Sequence, residues 1–143
     1  MSGLLRCGKA GKASQGGSGY GGARMKSQQT ENSIQRGIVT FLRLTLKDAK
    51  VFAIPNRAPR TASGLAFNGC PGLLPGVPDL EIVAPGGRCY FLEVKTSKGK
   101  TSSNQDAFLT WCALKAVPYA VVRNIDEVRV ALRAWNLETR EAA

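Results

Sequence analysis

The stretch Asp79-Leu80-Glu81-Ile82-Val83-Ala84-Pro85-Gly86-Gly87-Arg88-Cys89-Tyr90-Phe91-Leu92-Glu93-Val94-Lys95 decides the architecture. Two runs within it, Leu80-Glu81-Ile82-Val83 and Cys89-Tyr90-Phe91-Leu92-Glu93-Val94, are strand-like, being rich in β-branched and aromatic residues. Pro85-Gly86-Gly87 between them predicts a hairpin turn. With a three-residue loop Ala84 faces Arg88, and counting back puts Asp79 opposite Glu93. A two-residue turn would shift the pairing by one. Glu93 and Lys95 are two apart on a strand, so their side chains leave the same face.

Residues paired directly across two strands hold their Cβ atoms about 4.5–5.5 Å apart. Two carboxylates that close repel each other unless a cation sits between them. A hard divalent ion such as Mg²⁺ suits oxygen ligands of this kind. The acid-x-Lys spacing alone is weak evidence, since ten acids and nine lysines in 143 positions give about 0.6 such pairs by chance. A second copy, Asp48-Ala49-Lys50, follows a helical pattern, has no upstream partner and reads as a solvated helix end. The Glu93 copy ends an apolar run, where a charged pair is costly. The competing reading of Glu93 and Lys95 is a strand-end ion pair.

Working outward, Ile34, Ile38, Phe41 and Leu42 recur at helical spacing and predict an amphipathic helix over residues 28–46, with Ser27 and Thr30 as candidate N-caps. Val51-Phe52-Ala53-Ile54 reads as a buried strand closed by Pro55. Residues 55–78 hold five of the seven prolines and read as a long loop of the functional or mobile kind. Ser102 or Ser103 caps a helix with Phe108, Trp111, Cys112 and Leu114 on its apolar side. Tyr119-Ala120-Val121-Val122 is the next strand, and Asp126 opens a last helix carrying Val128, Ala131, Leu132 and Trp135. The order αβββαβα predicts a mixed α/β domain, residues 27–143, around one central sheet. Residues 1–26 hold eight of the 16 glycines and read as a disordered basic tail. Met25 offers an alternative start just before the first ordered element.

Composition narrows the chemistry. The chain has no histidine, which excludes a Ser-His-Asp or Cys-His dyad, a His general base and a His-ligated zinc. The net charge of +10 favours a polyanionic partner. Cys7, Cys70, Cys89 and Cys112 form no C-x-x-C pair. They read as reduced thiols, with Cys89 and Cys112 in the core. No apolar stretch resembles a signal peptide or reaches membrane-spanning length, so the expectation is a cytoplasmic, reducing location and no membrane partner. Gly99-Lys100-Thr101 looks like the end of a phosphate-binding loop. Val94 stands where that motif needs glycine, so no nucleotide cofactor is expected.

Pro75-Gly76-Val77-Pro78-Asp79-Leu80, Phe91-Leu92-Glu93-Val94-Lys95-Thr96 and Ser103-Asn104-Gln105, in that order, resemble the VRR-NUC family of the PD-(D/E)XK nuclease superfamily. The opening helix with Glu31, Ile34, Gln35 and Ile38 is similar to that family's first motif. Tyr119-Ala120-Val121-Val122-Arg123 with Asp126-Glu127-Val128 is similar to its last. The resemblance covers roughly residues 28–135. It implies a restriction-endonuclease-like fold and metal-dependent hydrolysis of DNA phosphodiesters, in the setting of replication, repair or recombination. Asp79 and Glu93 would then ligate Mg²⁺ or Mn²⁺, with the Val94 carbonyl as an extra ligand and Glu31 as an outer or second one. Lys95 would orient the attacking water or stabilise developing negative charge. Gln105 would hold Lys95 or that water.

Phosphate contact falls to Lys98 and Lys100 in the basic loop after the strand, with Arg57 and Arg60 as weaker candidates. Stand-alone members resemble junction-resolving enzymes, often of phage or mobile elements. A resolver of four-way junctions cuts two strands symmetrically and would be a homodimer. Trp111 and Trp135 are candidates for its surface, although core packing is the expected place of both. The alternative is a non-catalytic nucleic-acid-binding module on the same fold, which has no need of two close carboxylates facing a polyanion. A basic packaging protein would show dense Lys and Arg without an acidic cluster.

Overall fold

The computed structural model describes residues 29–55 and 71–140. Within them the chain forms α1 (Glu31–Thr45), β1 (Lys50–Ala53), β2 (Leu80–Val83), β3 (Cys89–Val94), α2 (Ser103–Leu114), β4 (Tyr119–Val122) and α3 (Ile125–Ala134), the expected order. The strands make one sheet in the order β1-β2-β3-β4. β1–β2 and β2–β3 are antiparallel, and β3–β4 is parallel. A parallel pair needs a crossover rather than a tight turn, and α2 supplies it.

The hairpin has the three-residue loop. Ala84 N–H donates to the Arg88 carbonyl at 3.0 Å, and Gly87 N–H donates to the Ala84 carbonyl at 3.0 Å. Gly86 and Gly87 both take positive φ, 91° and 83°, which explains the glycine pair at this turn. The register that follows pairs Val83 with Cys89 and Leu80 with Leu92. The next step along places Asp79 beside Glu93.

Alternation sorts the sheet into two faces. Leu80, Ile82, Tyr90, Leu92 and Val94 are buried on one face, with Val51 and Val122. Ile38 and Leu42 of α1 and Val128 and Leu132 of α3 join them in one core. α1 starts at Glu31 because Thr30 caps it: its side chain accepts the Ser33 N–H at 3.2 Å. α3 is capped by Asn124, whose side chain accepts the Glu127 N–H at 2.9 Å, so the helix opens at Ile125 and not at Asp126.

Four expectations are corrected. In β1 only Val51 is buried and Phe52 is 42% exposed, so that strand is not buried throughout. On α2 only Cys112 is fully buried, while Trp111 is 50% and Leu114 78% exposed. The helix meets the sheet along the line Gln105, Phe108 and Cys112, and neighbours in sequence swing about 100° away from it. Phe108 packs edge-on against Phe91 at 5.9 Å and beside Tyr119 at 6.1 Å. Trp135, by contrast, lies against the core with its ring 5.1 Å from that of Tyr90. Cys89 is only half-buried, because it stands at the hairpin mouth on the face opposite the core. Cys7 and Cys70 lie outside the described residues. Among the described residues no helix is long and apolar enough to cross a membrane.

Two leucines separate burial from chemistry. Leu92→Ala empties a fully buried site and is expected to cost about 2–5 kcal/mol in urea unfolding. Leu114→Ala, on the exposed side of α2, is expected to stay within about 0.5 kcal/mol.

Candidate active site

Asp79, Glu93 and Lys95 share the sheet face that α2 partly covers, at the end of the hairpin away from its turn. Glu93 is completely buried and Lys95 is 7% exposed. Charged side chains are rarely buried without partners. Here Lys95 Nζ lies 2.8 Å from Glu93 Oε1 and 3.7 Å from Glu31 Oε1. The first turn of α1 therefore delivers Glu31 to the site. Asp79 Oδ2 accepts the Val94 N–H at 2.8 Å, which ties the start of β2 to the strand bearing Glu93. The side chain of Val94 faces the core.

Gln105 comes from the first turn of α2 and does two things. Its Oε1 accepts the Ser102 N–H at 2.8 Å, closing a capping box in which Ser102 Oγ accepts the Gln105 N–H at 3.3 Å. Its Nε2 donates to Glu93 Oε1. Gln105 was expected to hold Lys95 or the attacking water; its amide nitrogen instead holds the carboxylate that Lys95 also holds. Glu93 Oε1 receives both donors, and Glu93 Oε2 is buried with no hydrogen-bond partner among the described residues.

Burial pushes the Glu93 carboxyl up to about 7; the Lys95 hydrogen bond opposes this, and the charge of Asp79 adds to it. Burial by itself would depress the Lys95 ammonium, but its hydrogen bond to Glu93 and the charges of Glu93, Glu31 and Asp79 hold it above the ordinary lysine value.

Glu31, Asp79, Glu93, Lys95, Lys100 and Gln105 line a cleft of about 490 Å³. A neighbouring hollow of about 540 Å³ shares Glu31 and Asp79 and adds Gln35. A larger cavity, about 780 Å³, lies between α1 and α3 among Lys47, Arg129, Arg133 and Glu138, and none of the expected site residues lines it. The chemistry therefore marks the site and volume does not. Lys98 and Lys100 are both exposed, but only Lys100 lines the cleft. Arg123 braces their loop, its guanidinium donating to the Gly99 carbonyl at 3.4 Å. Arg57 and Arg60 lie outside the described residues.

Among the described residues no three His, Cys, Asp or Glu side chains gather closely enough to cage a cation by themselves. The donor set nevertheless suits a hard divalent ion: it is all oxygen, and one buried carboxylate oxygen lacks a partner. Two contributors were given no role by the sequence reading. Asn104 lines the cleft and lies against Gly76, where a Cβ would overlap the Asn104 carbonyl. Gly76 also has φ of 89°, and its place before Val77-Pro78-Asp79 was the available signal. Tyr119 brings a buried hydroxyl to the same sheet face, and nothing in its apolar strand signalled that.

No family model matches this sequence, and no curated protein matches it. A solved structure described as a VRR_NUC domain shares the fold, with a TM-score of 0.50 and 20% sequence identity over 73% of this chain and 96% of that one. The four-stranded mixed sheet with its three helices is thus a VRR-NUC fold, as the motifs implied.

The raised Glu93 carboxyl has a measurable sign. Its folded-state value exceeds the unfolded 4.5, so the protonated form favours folding. That contribution is complete below about 4.5 and is lost as pH rises through about 7. Thermal unfolding in EDTA is expected to show stability falling across this window, and Glu93→Gln is expected to remove the fall. Gly76→Ala is expected to cost about 1–3 kcal/mol in urea unfolding through its overlap with α2.

Proposed function

We propose that this chain is a metal-dependent nuclease of the VRR-NUC family acting on DNA. One observation carries the reading. A completely buried carboxylate, Glu93, has one oxygen held by Lys95 and Gln105 while the other lacks a partner, beside Asp79 in an open cleft. A strand-end ion pair does not account for this, because surface pairs of that kind do not bury a carboxylate whole. The fold shared with a VRR_NUC domain supports it.

Asp79, Glu93 and the Val94 carbonyl would hold Mg²⁺ or Mn²⁺, with Glu31 as an outer or second ligand. A bound ion of this class lowers the pKa of water and neutralises charge on a phosphate. The chain's own residues do the rest. Lys95, fixed by Glu93 and Glu31, presents a positive charge where negative charge develops on the scissile phosphate. Gln105 keeps the Glu93 carboxylate in one orientation. Lys100 at the cleft, and Lys98 beyond it, meet the DNA backbone. Branched and four-way-junction DNA are the preferred substrates proposed. A two-fold dimer would serve symmetric cutting, and the exposed Trp111 and Leu114 of α2 offer apolar surface for it.

The test is cleavage of a four-way junction, a flap, a plain duplex and a single strand, each with Mg²⁺, with Mn²⁺ and with EDTA. Cleavage is expected only with metal. Glu93→Ala is expected to abolish it, and Lys95→Ala to lower it by about 10²–10³-fold. Binding without cleavage under every metal condition would instead favour the non-catalytic module. Affinity is expected to fall steeply with salt, and Lys100→Ala to reduce the slope of log affinity against log salt by about 1.

A further inference from the structure

Two buried side-chain polar atoms have no hydrogen-bond partner among the described residues: Glu93 Oε2 and the Tyr119 hydroxyl. They belong to neighbouring strands on one sheet face. Phe91 of β3 pairs with Tyr119 of β4, and Glu93 pairs with Val121, so Tyr119 and Glu93 are one diagonal step apart. The Tyr119 ring is fixed by Phe108 of α2 at 6.1 Å, the helix whose first turn also delivers Gln105 to Glu93. Burial raises the phenol's pKa, and the nearby charges of Glu93 and Asp79 add to this, so the hydroxyl stays protonated and is available as a donor.

A buried hydroxyl and a buried carboxylate oxygen are each costly to leave unpaired. Two such atoms stand on one sheet face, in adjacent strands. Neither bonds the other directly; one water bridging them would satisfy both. Water molecules in protein interiors take up this role where polar groups converge.

We propose that Tyr119 is a positioning residue for Glu93. Its O–H donates to a buried water, and that water donates to Glu93 Oε2 from the side of β4. A carboxylate oxygen has two lone-pair directions, so Oε2 keeps one for the cleft. Lys95 and Gln105 then fix one oxygen of Glu93 and Tyr119 fixes the other, which leaves the carboxylate no freedom to rotate. The effect on cation binding rests on the nuclease reading; the Tyr119–Glu93 pair does not.

The experiment uses the full chain. Urea unfolding in EDTA is measured for the native sequence, Tyr119→Phe, Glu93→Ala and the double variant. Tyr119→Phe keeps the ring and removes only the hydroxyl. It is expected to lower the folding equilibrium constant about fivefold to tenfold with Glu93 present. With Ala at 93 the loss is expected to shrink to about twofold or less. A Tyr119→Phe protein as stable as the native one, or more so, overturns the proposal, because removing a hydroxyl with no partner costs nothing. Equal losses in both backgrounds overturn it too. Calorimetric titration with Mn²⁺ gives a readout that needs no second substitution if Glu93→Ala fails to fold. Tyr119→Phe is expected to weaken Mn²⁺ binding about tenfold, and unchanged binding overturns the positioning role. Coupling between Tyr119 and Glu93 in a protein that binds no Mn²⁺ would support the pair and count against the nuclease reading.

Discussion

Glu93 ends an apolar strand with its carboxylate entirely out of water, and much of the surrounding structure follows from what that demands. Taking a carboxylate into a protein interior costs several kcal/mol even after relaxation, and removing its partners costs more. The partners come from separate parts of the chain. Lys95 directly follows β3, two residues after Glu93. Gln105 arrives with the first turn of α2. Lys95 is buried in turn, and its second carboxylate, Glu31, lies at the start of α1. One buried charge thus recruits two helices to one end of the sheet. The same convergence makes the cleft.

The sheet divides its labour by face. Leu80, Ile82, Tyr90, Leu92 and Val94 build the core with α1 and α3. The other face carries Asp79, Phe91, Glu93 and Tyr119 under α2. The alternation of burial along β3 fails at its end, where Leu92, Glu93 and Val94 are all buried in succession. A strand covered on both faces should be apolar throughout. Glu93 breaks that rule at the one place where Lys95 and Gln105 can meet it.

Much of this was legible before any coordinates. The Pro85-Gly86-Gly87 turn fixed the hairpin register, because only a three-residue loop closes as Ala84 and Arg88 do. Register then put Asp79 beside Glu93. Helical spacing identified the core residues Ile38, Leu42, Val128 and Leu132. The misreadings have physical causes. Trp111 and Leu114 are apolar, but α2 touches the sheet along a single line that the composition of the helix does not reveal. Cys89 sits on the noncore face, and a cysteine's type says little about which face it takes. Gln105 was expected to hold Lys95 or a water and instead meets Glu93, since an amide can serve a cation or a carboxylate alike. Tyr119 looked like an ordinary strand residue because only its three-dimensional neighbours give its hydroxyl significance.

Gln105 uses one amide for two tasks. Its oxygen stabilises the beginning of α2, and its nitrogen steadies Glu93. Helix ends open and close continually, at a free-energy cost far below that of global unfolding. Each time the first turn of α2 frays, the cap and the grip on Glu93 are released together. The readiness of the cleft is therefore tied to a local breathing motion of one helix end. A sequence change that tightens or loosens that end, without touching the cleft, would change the fraction of time the carboxylate spends in place.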